Sequence, residues 1–117
     1  YGALVQRTYL AAQELAEEGI ETEVLDLRTV MPFDMEAIAR SVRKTGRLIV
    51  AHEDTLTCGF GGEIAARVAD QCFGDLDAPV RRVAAVDTYC AYAPSSEEYI
   101  LPQKDDMVRA IRELAAY

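Results

Sequence analysis

The apolar run Leu48-Ile49-Val50-Ala51 leads straight into His52-Glu53-Asp54-Thr55-Leu56-Thr57-Cys58, and Gly59-Phe60-Gly61-Gly62 then opens onto Glu63-Ile64-Ala65-Ala66. A short unbroken apolar run suits a strand covered on both faces, as in a parallel sheet. The glycines break it, and the following residues carry helical spacing. The unit is strand, loop, helix, with the only histidine of the chain at the carboxyl end of the strand. In open α/β sheets that end is where ligands and partners usually sit.

The rest of the chain alternates in the same way. Ala3 to Glu18 reads as a helix with Val5, Tyr9, Ala12 and Leu15 on its apolar stripe, and Gly19 stops it in a left-handed cap with Ile20 folding back. Glu23 to Leu27 is a strand candidate. Arg28 to Phe33 is a loop, blocked by Pro32. Asp34 is placed to cap a helix from Met35 to about Arg43, buried through Met35, Ile38, Ala39 and Val42 and ended by Gly46. Arg47 to Ala51 is the next strand, and Gly59 to Cys72 holds the next helix. After a turn at Asp75 to Pro79, Val80 to Val86 is the last strand. Asp87 to Pro94 is a loop, and Ser95 with Glu98 has capping-box spacing for a short helical turn. Lys104 to Ala116 closes the chain as a helix, facing inward through Met107, Val108, Ile111 and Leu114.

This order predicts an α/β fold of three layers, α/β/α, around a mainly parallel sheet. The pattern opens on a helix where a βαβ architecture wants a strand. The expectation is therefore that a first strand stands upstream of Tyr1 and has been cut off, and that residues 1–117 form one domain of a longer protein.

The net charge of −8 argues against a nucleic-acid footprint, which needs a basic face; it serves solubility, and it favours a basic protein partner over an acidic one. No apolar run approaches the ~20 residues of a membrane span. The three cysteines, Cys58, Cys72 and Cys90, are far apart and in odd number, which gives neither a disulfide framework nor a zinc site. A reducing compartment, cytoplasmic or mitochondrial matrix, fits that usage, with no export signal.

Several residues invite a chemical reading. His52 is the natural general acid–base, with Glu53 as its neighbour. Adjacent residues on an extended segment point opposite ways, so the two need not cooperate. Gly59, Gly61 and Gly62 before a helix could cradle a phosphate. The spacing is not GxGxxG and no GK[ST] follows, so a tight turn that lets helix and strand approach is the stronger reading. Arg28 could hold an anion or pair with a nearby carboxylate such as Asp26.

The chain resembles the C-terminal domain of the transketolase family, in the form found in the β subunit of the E1 component of 2-oxoacid dehydrogenase complexes. The resemblance rests on Tyr1-Gly2-Ala3, Asp26-Leu27-Arg28-Thr29 with Pro32 and Asp34, and Lys44-Thr45-Gly46-Arg47. It continues through His52-Glu53, Gly59-Phe60-Gly61 with Glu63-Ile64-Ala65, Asp77-Ala78-Pro79-Val80 with Arg82-Val83, Asp87-Thr88, and Leu101-Pro102. These cover essentially the whole chain in the family's order. Cys58 and Tyr89 depart from it, standing where the pattern usually has glycine and proline. Cys72-Phe73 before Leu76-Asp77-Ala78-Pro79 leans toward the branched-chain (2-oxoisovalerate) enzymes.

The resemblance implies a parent enzyme that uses thiamine diphosphate and magnesium to decarboxylate a 2-oxo acid and pass the acyl group to the lipoyl group of E2. It implies that this domain carries no catalytic residue, cofactor ligand or metal ligand. Its implied partners are the E1 α subunit or region, a second E1 β, and the basic peripheral subunit-binding domain of E2. Phe73, Asp77 and Tyr117 correspond to the docking positions for that module, while Arg28, His52 and Glu53 become interface or anion contacts. The alternatives are a sugar-phosphate enzyme of the transketolase or deoxyxylulose-phosphate synthase type, or a flavodoxin-like binding module. The open sheet edge left by a missing strand, with the aromatic loop Tyr89 to Tyr99, leads to an expectation of self-association in the isolated chain.

Overall fold

A computed structural model describes residues 1–117. Helix α1 (Leu4–Ala16) is followed by a segment without regular secondary structure, then α2 (Met35–Thr45), strand β1 (Ile49–Thr55), α3 (Gly61–Gln71), a 3-10 turn (Phe73–Asp75), strand β2 (Arg81–Ala85), α4 (Pro94–Ile100) and α5 (Lys104–Ala115). Strands β1 and β2 pair in parallel, Ile49 beside Arg81 and Ala51 beside Val83, with an irregularity before Thr55 meets Ala85.

The three layers are present as two apolar cores on opposite faces of the sheet. Ile38, Ala39 and Val42 of α2 and Ile64 and Val68 of α3 bury against Val50 on one face. Leu4, Ala11 and Leu15 of α1 and Met107, Val108 and Ile111 of α5 pack together on the other, over Ile49, Ala51 and Val83. The alternation of β1 side chains between these cores is the two-residue period of a strand.

Local signals set the helix ends. The Asp34 carboxylate accepts from the Ala37 N–H at 2.9 Å and caps α2, and Gly46 ends that helix at φ +66°. Gly19 sits at φ +82° after α1, and the Ile20 N–H returns to the Leu15 carbonyl at 2.9 Å.

Four expectations are corrected. The stripe of α1 is rotated: Leu4, Ala11 and Leu15 are buried and Tyr9 is 56% exposed, because α5 and the sheet meet the helix along that neighbouring line. Strand β1 runs past Ala51 to Thr55, so His52 lies within it. Glu23 to Leu27 has no regular secondary structure and joins no ladder. A groove of about 380 Å³ separates it from β1. No side chain caps α4, which starts at Pro94. The capping box falls on α5, where the Gln103 N–H donates to the Asp106 carboxylate at 2.9 Å. No helix is long and apolar enough to cross a membrane.

Candidate functional site

His52 is completely buried in the middle of β1. Its ring stacks on Tyr1, centroids 5.6 Å apart and nearly parallel, and Tyr1 meets Phe60 edge-on at 6.3 Å. Phe60 in turn meets Phe33, which carries the Arg67 guanidinium 5.0 Å above its ring. The glycine turn closes over the imidazole. A Cβ on Gly59 would stand 2.8 Å from the His52 Cε1, and one on Gly61 would overlap the Nε2 edge. Both ring nitrogens are buried without a well-formed hydrogen bond. Burial pushes the His52 pKa below the usual imidazole value, against an upward pull from Asp54. The imidazole is enclosed by the glycine turn and by the Tyr1 ring.

Glu53 points the other way. Its carboxylate accepts from the Ala3 N–H at 3.2 Å, at the start of α1, and lies 3.9 Å from Arg7. A carboxylate there satisfies an orphan helix N–H and complements the helix dipole. The two neighbours therefore do separate structural work. Arg28, at φ 55°, is 3.3 Å from Asp26 and its side chain is 84% exposed.

The glycine turn does not fit a phosphate or thiamine diphosphate. The Gly62 and Glu63 N–H groups already bond to the carbonyls of Gly59 and Phe60. The nearest guanidinium, that of Arg82, donates to the Leu56 carbonyl at 2.7 Å. Thr57 binds Asp87 through its N–H at 2.8 Å and its hydroxyl at 2.5 Å, and those bonds hold the Asp87 carboxyl below the usual range. No group of three or more His, Cys, Asp or Glu side chains is placed to hold a metal ion. Cys58 and Cys90 are exposed and Cys72 is buried, all as free thiols.

Phe73, Asp77 and Tyr117 belong to the opposite end of the sheet. Phe73 is 79% and Tyr117 64% exposed. The Asp77 N–H donates to the Gly46 carbonyl at 2.7 Å, and its carboxylate lies over Gly46 where a side chain would otherwise stand. The next residue, Arg47, donates from Nε to the Leu114 carbonyl at 3.1 Å, and that carbonyl also receives the Tyr117 N–H at 3.3 Å. Gly46 and Arg47 thus tie the Asp77 turn and the end of α5 to one point. Arg43 engages Asp75, at 3.8 Å, and not Asp77. Sequence reasoning missed Arg47, whose bond partner is 67 residues away.

The transketolase C-terminal domain family matches residues 1–107. The chain belongs to that family. Over its whole length it is 41% identical to 2-oxoisovalerate dehydrogenase subunit beta 2, mitochondrial, of Arabidopsis thaliana, covering 32% of that protein. It is also 41% identical to the 2-oxoisovalerate dehydrogenase subunit beta of Bacillus subtilis, again along all of this chain and 36% of the relative. The pyruvate dehydrogenase E1 component subunit beta of Staphylococcus aureus is 41% identical over 97% of this chain and 34% of its own length. This transketolase C-terminal domain therefore spans about a third of the length of these curated relatives.

Proposed function

We propose that this chain is the non-catalytic assembly domain of an E1 β subunit in a thiamine diphosphate-dependent 2-oxoacid dehydrogenase. The observation that carries the reading is 41% identity along the whole chain to proteins named as such subunits. The same identity to pyruvate and 2-oxoisovalerate enzymes does not favour the branched-chain acid. In the parent enzyme, thiamine diphosphate and magnesium supply the decarboxylation, held by parts outside this chain.

This domain's own work is contact, with a second β, with the α subunit or region, and with E2. Phe73 offers an exposed apolar anchor four residues before Asp77, and the Gly46–Arg47 tie brings the Tyr117 end into the same framework. A net charge of −8 favours a basic partner such as the peripheral subunit-binding domain of E2. Compartment follows from the parent: bacterial cytoplasm or mitochondrial matrix.

The test is calorimetric titration of the assembled E1 with that basic domain at low and moderate salt. Binding should weaken as salt rises and fall several-fold with Asp77→Asn, since each tenfold loss is only about 1.4 kcal/mol. Absence of binding at both salt levels would overturn the docking role and leave the family assignment standing.

A further inference from the structure

The imidazole of His52 fills the space between β1 and the glycine turn. It is completely buried, and neither of its nitrogens has a well-formed hydrogen bond. The turn packs directly on it: a Cβ on Gly59 would stand 2.8 Å from Cε1, and one on Gly61 would overlap Nε2 and Cδ2. The Tyr1 ring stacks on the imidazole, and the Tyr1 hydroxyl is itself buried without a partner. A neutral imidazole fits this collar. An imidazolium carries two N–H donors and a full charge, and burying them unpaired is strongly unfavourable.

The charged groups around the ring do not offset that cost. Burial is the largest influence and disfavours the protonated form. Asp54, two residues along β1, favours the proton, while the Tyr1 amino group and the Arg82 guanidinium of β2 oppose it. The other carboxylates are engaged elsewhere. Glu63 on α3 is 2.7 Å from Arg67, Glu53 accepts from the Ala3 N–H, Asp34 accepts from the Ala37 N–H, and Asp87 holds Thr57.

The turn is built to move as a unit. Its bonds from the Gly62 N–H to the Gly59 carbonyl, at 2.9 Å, and from the Glu63 N–H to the Phe60 carbonyl, at 3.0 Å, lie within it. Before it, the Leu56 N–H meets the Ala85 carbonyl at 3.0 Å and Thr57 is clasped by Asp87. From Cys58 to Gly61 packing takes over, with Phe60 edge-on to Tyr1 and Phe33 and the glycines against the imidazole.

We propose that His52 is an acid-sensitive latch: on taking up a proton from solvent, the imidazole loses its place under the turn, and Gly59–Gly62 lifts from β1 with the Phe60 ring. Water then reaches both ring N–H groups, while the β1–β2 ladder and the core of α1 and α5 stay intact.

The test follows the full 117-residue chain by NMR between neutral and mildly acidic pH. His52 is its only histidine, so one imidazole signal reports the protonation. Amide exchange at Gly62 and Glu63, corrected for its intrinsic pH dependence, should rise about tenfold or more as that signal titrates, while the amides of α1 and α5 keep their protection. His52→Gln is polar but does not titrate in this range, and its turn exchange should stay level. If that variant does not fold, the native titration decides alone. A His52 signal that titrates while the turn stays protected would overturn the latch. So would an imidazole that stays neutral throughout, protection lost from α1 and α5 together with the turn, or an equal response in His52→Gln.

Discussion

The imidazole of His52 occupies the space where a Cβ on Gly61 would stand. Gly61 is buried in the first turn of α3 with no positive φ, so glycine is required there for room and not for backbone freedom. Gly61→Ala should destabilise the fold by about 1–3 kcal/mol through overpacking. Gly62→Ala meets only Arg82 Nη1 at 3.5 Å, an ordinary contact, and should be neutral or gain up to about 1 kcal/mol. Urea melts of the two variants check the contrast. Equal midpoints would mean that His52 yields freely.

Stability should fall on mild acidification because of the same histidine. Burial lowers the His52 pKa in the folded state, while the unfolded chain titrates near ~6.5. The unfolded state therefore binds the proton first. The contribution is complete above the unfolded pKa and is lost as pH drops below it toward the folded value. Thermal melts between neutral and mildly acidic pH should show a steeper fall for the native chain than for His52→Leu. Parallel pH slopes would assign the acid sensitivity to other groups.

The legible parts of this fold were those set by near neighbours. Asp34 and Gly46 bracket α2 by contacts within a few residues, and the sequence placed both. The Ser95 and Glu98 spacing misled because Pro94 already begins α4, while Gln103 and Asp106 made a capping box that a search for serine or threonine passes over. Glu23 to Leu27 has strand composition, yet pairing depends on a neighbour, and none of its residues bonds to β1. At the sites, the opposite aims of His52 and Glu53 followed from strand alternation. The burial of His52 under the glycine turn did not, since it depends on how α3 docks.

Arg47 should matter more than its place at a strand entrance suggests. Its Nε–H to the Leu114 carbonyl links the end of α5 to the Gly46 turn that holds Asp77. Arg47→Met keeps the aliphatic stem and removes the donor. It should cost about 1.5–3 kcal/mol, the range for a hydrogen bond with a charged partner. Exchange at the Asp77 and Tyr117 amides should rise together in that variant. A rise at Tyr117 alone would show that the two ends are independent.

The isolated chain should self-associate. The backbone groups of Ile49 and the Ala51 N–H, on the side of β1 away from β2, and the unpaired backbone of Glu21 to Asp26 form open edges that invite pairing with another chain. Tyr89, Tyr92 and Tyr99, at 94%, 104% and 85% exposed, add aromatic surface of the kind enriched at interfaces. The two sources separate by experiment. Sedimentation velocity should show a weight-average mass that rises with loading concentration. Tyr92→Ser should suppress the part that comes from the aromatic loop and leave the part that comes from the groove. A clean monomer across the whole concentration range would remove self-association from the account. It would then follow that the open edges are too twisted or too short to template a second chain.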